Sequence, residues 1–186
     1  MGKCIVVTAP SGSGKTTLIK RLLSETPSIQ FSVSHTTRPK RDGETDGRDY
    51  HFTAESDFLA MIARGEFLEW AQVHSGYYGT ALSELAKVET TNLILDIDVQ
   101  GAMTLRARKQ EALYVFIRPP SLAVLRERLT ARHSDKPEEI DLRMWNAKRE
   151  MEYIEHFDVV IVNDVLERAY AEFSGAIRHY LGEAGI

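Results

Sequence analysis

The chain has 186 residues, 43% hydrophobic and 27% charged, enough for one well-buried core with inserted subdomains and too few for two full domains. Its 27 acidic against 23 basic residues leave a net charge of −4, which argues against broad nucleic-acid or membrane binding and leaves phosphate recognition to local clusters. A single cysteine, Cys4, excludes an internal disulfide, and no apolar stretch approaches a membrane span, so a cytoplasmic protein is expected.

Taken in chain order, residues 3–8 read as a strand through the apolar run Cys4-Ile5-Val6-Val7. Residues 14–25 read as a helix with Leu18, Leu22 and Leu23 on one face, closed by Thr26-Pro27. Between and into them runs Ala9-Pro10-Ser11-Gly12-Ser13-Gly14-Lys15-Thr16-Thr17. A glycine-rich turn feeding a helix aims successive N–H groups and the positive end of a helix dipole at one point, where a polyphosphate fits. Lys15 is expected to reach the β/γ-phosphates and Thr16 to ligate Mg²⁺. Glycine suits positions 12 and 14, where a side chain would block phosphate or forbid the backbone angles. Ala9 replaces the usual first glycine of the pattern and can make the turn if its φ is negative.

Residues 33–82 are rich in Thr, Arg, Gly, Asp and Tyr, with one short helix expected near 55–64; the aromatics Tyr50, Phe52, Phe67, Trp70, Tyr77 and Tyr78 mark a folded insertion rather than a disordered loop. Strand patterns then recur at 92–97, 112–117 and 158–162, and helical ones at about 99–109, 121–132, 137–155 and 164–181. Such alternation predicts an α/β fold with a parallel sheet covered on both faces.

If the loop holds ATP, the insertion should hold the phosphoryl acceptor. Basic residues cluster twice, as Arg38, Lys40, Arg41 and Arg48 and as Arg126, Arg128, Arg132 and Arg143. Arg38 and Arg41 suit a bidentate grip on a phosphate dianion, with Tyr50 and Tyr78 adding hydroxyl donors. Singly, each arginine reads as well as a solvated loop residue and each tyrosine as core. Guanine offers two adjacent N–H donors that one carboxylate can take, and an O6 acceptor for a hydroxyl. Glu69 could be that carboxylate, with Ser34 and Thr80 supplying hydroxyls, although Glu69 reads equally as an exposed strand residue.

Together these residues resemble the guanylate kinase family, the ATP:GMP phosphotransferases, over essentially the whole length. The resemblance rests on the APSGSGKTT loop, Phe31-Ser32-Val33-Ser34 leading to Thr36-Thr37-Arg38, Arg41-Asp42-Gly43-Glu44 and Asp49-Tyr50. It continues through Glu66-Phe67-Leu68-Glu69-Trp70-Ala71, Tyr77-Tyr78-Gly79-Thr80, Leu95-Asp96-Ile97-Asp98-Val99-Gln100-Gly101 and Ile161-Val162-Asn163-Asp164. It implies a P-loop NTPase three-layer core, a β-rich GMP-binding insertion at 33–82 and a helical lid at 125–148, the core being 1–32, 83–124 and 149–186. It further implies that Arg38, Arg41, Tyr50 and Tyr78 bind the GMP phosphate beside Gly79, that Ser34, Glu69 and Thr80 read guanine, and that Asp98 contacts GMP. Asp96 matches the carboxylate that holds Mg²⁺ through water, and Arg132 and Arg143 match the lid arginines that act with Lys15 and Arg41 on the transferring phosphates. The partners implied are ATP and GMP, with homo-oligomerisation left open.

The sequence departs from the family pattern at Pro39-Lys40, where the proline stands one place early, and at Arg132-His133-Ser134, which lacks a lid glycine. Three other readings compete. A GTPase switch would explain Asp98-Val99-Gln100-Gly101 but needs an N-K-x-D motif that the chain lacks. A non-catalytic binding module would have a degenerate phosphate loop, and a sibling kinase would lack the set Ser34, Glu69 and Thr80.

Overall fold

The structure, a computed structural model, describes residues 2–73, 76–131 and 136–183. Its elements run β1 (Cys4–Thr8), α1 (Lys15–Glu25), β2 (Ile29–Phe31), β3 (His35–Thr36), β4 (His51–Phe52), α2 (Glu55–Ala63), β5 (Phe67–Val73) and β6 (Gly76–Ala81). They continue as α3 (Leu82–Leu85), β7 (Asn92–Asp96), α4 (Val99–Ala107), β8 (Leu113–Arg118), α5 (Leu122–Thr130), α6 (Pro137–Met151), β9 (Val159–Val162) and α7 (Leu166–Leu181). Short 3-10 turns cover Ala86–Glu89 and Ile154–His156. The α/β reading holds: the larger sheet has strand order β2-β7-β1-β8-β9, and a second, four-stranded sheet has order β4-β3-β6-β5. No helix among the described residues is long and apolar enough to cross a membrane.

The chain divides into two compact units, Met1–Cys4 with Ser28–Glu111, and Ile5–Pro27 with Ala112–Ile186. In the second unit, β1 pairs in parallel with β8 (Ile5↔Leu113 to Thr8↔Phe116) and β8 with β9 (Val115↔Val159 to Arg118↔Val162). β1 is buried along its whole length, which is why it reads as unbroken Ile-Val-Val rather than as an alternation. Helix α1 buries Leu18, Ile19 and Leu22. Leu23, expected on that face, is half-buried. Helix α5 begins at Ser121, whose hydroxyl accepts the Val124 N–H at 3.2 Å, and α6 has Pro137 in its first turn, where a missing N–H costs nothing. The two helices share an apolar cluster of Leu125, Leu129, Ile140 and Ala147, joined by Leu122 and Met144.

In the first unit, β2 and β7 pair in parallel (Ile29↔Asn92 to Phe31↔Ile94). The small sheet is a β5–β6 hairpin extended by antiparallel β3 and then by parallel β4. A bulge between Phe67 and Glu69 breaks the alternation of β5, so Phe67, Leu68 and Glu69 are all buried in succession. Phe58 of α2 is fully buried and stacks on Phe67 and Tyr77 at 4.4 and 5.6 Å between centroids. These contacts give the irregular, polar insertion its own aromatic core.

Candidate active site

The predicted residues fall into two groups, one in each unit. In the second unit, the Ala9–Gly14 turn joins β1 to α1. Gly12 and Gly14 have φ of +92° and +88°, a region closed to most side chains. Lys109 is the one described non-glycine residue with positive φ, so Ala9 meets the condition that its sequence imposed. Gly14 is the N-cap of α1, provides no side-chain cap, and the first turn contains no acidic residue. The helix therefore offers its positive end to an anion from outside. Pro10 lies buried, Thr16 and Thr17 are exposed and Lys15 is half-buried at that end. Inside the turn the Ser13 N–H donates to the Pro10 carbonyl at 3.0 Å. Arg143 of α6 donates to Ser11 Oγ at 3.0 Å, which brings that predicted arginine to the loop. Arg132, with His133 and Ser134, lies outside the described residues.

In the first unit, β3, β5 and β6 assemble the rest. Glu69, whose placement the sequence left open, is 4% exposed, and its Oε1 accepts the Thr80 N–H at 2.9 Å. Burial, reinforced by the charge of Asp98, pushes its carboxyl up to about 7 against the hydrogen bonds from Thr80. The Ser34 and Thr80 hydroxyls, both buried, are 3.3 Å apart. A hydroxyl pair beside an unevenly satisfied carboxylate offers one acceptor group and donors that can turn outward, the set that a guanine edge requires. Gly101 makes room for this carboxylate, since a Cβ there would stand 2.4 Å from Glu69 Oε2. Gly79 lets β6 pass close to Phe67 in the same way, with 2.9 Å to its ring.

Arg38, Tyr50 and Tyr78 also come together. The Arg38 guanidinium lies 5.3 Å from the Tyr50 ring centre, and the two tyrosine rings meet edge to face at 6.0 Å. Burial, with the charge of Asp96 next, pushes the Tyr50 phenol up to about 12, so it stays a hydrogen-bond donor. Arg41 is exposed; its backbone N–H, not its side chain, is what the structure ties down. The tie is Glu44, which the sequence reading gave no role. Its carboxylate takes Arg38 Nη1 and Nη2 at 2.9 and 2.7 Å and the Arg41 N–H at 2.8 Å. Its bond to Arg38 holds its carboxyl below the usual range and raises Arg38 in turn. An acidic residue three places after Arg41 and six after Arg38 was the available signal.

Asp98 caps α4, accepting the Gly101 N–H at 2.8 Å and Gln100 Nε2 at 3.1 Å, an occupation its spacing did not announce. Asp96 ends β7 and is half-buried. No group of three or more His, Cys, Asp or Glu side chains able to hold a metal occurs among the described residues. Mg²⁺ retains waters and takes substrate phosphate oxygens, so it does not require a full protein cage.

A family model described as guanylate kinase matches residues 1–180. The guanylate kinase of Nitratidesulfovibrio vulgaris is 50% identical over 177 residues, covering 94% of this chain and 86% of that protein. The guanylate kinase of Thermotoga maritima is 45% identical over 170 residues, covering 90% and 82%. The crystal structure of guanylate kinase from Anaplasma phagocytophilum superposes with a TM-score of 0.78 at 31% identity, covering 97% of this chain and 86% of that one.

Proposed function

The chain belongs to the guanylate kinase family and transfers the γ-phosphoryl group of ATP to GMP, giving ADP and GDP, and we propose that the two groups of residues described above divide that work. Residues 9–17 hold the ATP phosphates on backbone N–H groups and Lys15. Ser34, Glu69 and Thr80 read guanine, and Arg38, Arg41, Tyr50 and Tyr78 hold the GMP phosphate, with Gly79 keeping the strand close and Asp98 setting the charge felt by Glu69. The observation that carries the base reading is the buried Glu69 carboxylate beside two buried hydroxyls. An adenine edge would leave it facing an acceptor, and such mismatches are rejected by roughly 10⁴–10⁵-fold.

A GMP phosphate oxygen attacks the γ-phosphorus, the bond to the bridging oxygen breaks, and ADP leaves with that electron pair. The attacking phosphate is a dianion, so no side chain need act as base. Catalysis is then positioning and charge dispersal. Lys15, Arg41, Arg132 and Arg143 take that role here, and Arg38 offsets repulsion between two anionic substrates. The family uses ATP with Mg²⁺; Thr16 and, through water, Asp96 would hold the ion, which would supply positive charge against the transferring phosphates. Residues 33–82 and 125–148 act as the insertion and lid that exclude water. An assay of ADP release against GMP, dGMP, AMP, CMP and UMP tests the assignment. Turnover restricted to GMP and dGMP and lost by 10³-fold or more in Lys15→Ala is expected; turnover with another base would remove Glu69 and Thr80 from their roles.

A further inference from the structure

Asn163 follows β9 and contacts neither substrate in the reading above, yet it is 6% exposed and held on three sides. Its Nδ2 donates to the Ser13 carbonyl at 2.7 Å. Its backbone N–H donates to the Arg118 carbonyl at 2.8 Å, and its own carbonyl accepts from Arg128 Nη2 at 2.9 Å. A Cβ on Gly14 would meet the same Nδ2 at 2.2 Å. The amide thus occupies the space that the glycine leaves.

We propose that Asn163 is a positioning residue for ATP: by gripping the Ser13 carbonyl it fixes the Ser13–Gly14 peptide plane and aims the Gly14 N–H at the phosphates. The C=O and N–H of a planar trans peptide point in opposite directions, so holding one aims the other. The hold is needed because of the glycine. Gly14 tolerates φ of either sign, so a flip of this peptide meets little steric resistance. A flipped peptide would turn a carbonyl oxygen toward an anion and replace an attraction by a repulsion. The Ser13 N–H is anchored on Pro10, so Ser13 is pinned at both its peptide groups and the loop between them keeps one shape. Arg128 carries the hold into α5, the helix whose Leu125 and Leu129 meet the Cβ position of Gly12 at 3.0 Å.

This inference rests on residues 9–17 binding ATP, and its test separates the two. Asn163→Leu keeps the shape and the neutrality and removes the donor. Asn163→Asp removes it only while ionised, since a protonated carboxyl can donate to the Ser13 carbonyl. Affinities for a non-hydrolysable ATP analogue and for GMP are measured by calorimetry from pH 8.5 to about 5.5, beside the unaltered protein and Lys15→Ala. Both Asn163 variants are expected to lose about tenfold in analogue affinity at pH 8.5 with GMP affinity within twofold. Asn163→Asp alone should recover on acidification, which a packing defect would not do. Analogue affinity within twofold of normal in both variants, or equal loss for both ligands, would overturn the role of Asn163. Unchanged analogue affinity in Lys15→Ala would overturn the ATP assignment and this inference with it.

Discussion

Glu69 is 4% exposed and its carboxyl is pushed up to about 7, chiefly by burial, so at pH 8 the empty protein folds around a charge that water would solvate better. Between the unfolded value of about 4.5 and about 7 the folded state binds more protons than the unfolded one. Stability therefore falls as pH rises through that window, and above it the cost levels off on the order of 3 kcal/mol. Glu69→Gln is expected to raise the thermal midpoint at pH 8, with the gain shrinking toward pH 5, while GMP affinity collapses. A midpoint difference independent of pH would show that Glu69 is not the titrating group. On the proposed base reading, guanine donates to the ionised form, so GMP binding should release a proton below pH 7 and KM for GMP should climb by up to tenfold per pH unit there.

Helices α5 and α6 share a small apolar cluster beside the Arg126–Asp141 ion pair, and its Leu125 and Leu129 also border Gly12. Leu129→Ala should cost about 2–4 kcal/mol, read as a lower urea midpoint with an unchanged slope, and should raise KM for ATP more than KM for GMP. A loss under about 0.5 kcal/mol would mean the cluster closes around the gap. Elements of this kind were legible because their apolar residues recur at helical or continuous-strand spacing. The two-residue strands β3 and β4 and the three-residue β2 were not, because their partners rather than their own pattern make them strands. The pattern predicted one helix over 137–155, but α6 ends at Met151 and a separate 3-10 turn follows. Glu69 stayed ambiguous because the bulge at Phe67 cancels the period on which strand faces are read. Asn163 escaped for a different reason: it acts on the backbone of Ser13, 150 positions away, which spacing alone does not bring near.

At the scale of the molecule, the residues proposed for ATP at 9–17 and those proposed for GMP belong to different units, between which the chain passes at residues 4–5, 27–28 and 111–112. Small-angle scattering should show the radius of gyration falling only when GMP and a non-hydrolysable ATP analogue are both present; the same radius in all states would exclude closure. The path of the chain also bears on how the protein is made. Ile5 of β1 pairs with Leu113, 108 positions later. A ribosome adding roughly 5–20 residues per second completes that interval in roughly 5–20 s. For that time Cys4-Ile5-Val6-Val7 has been made and its β8 partner has not, so one edge of this buried strand waits on the second half of the chain.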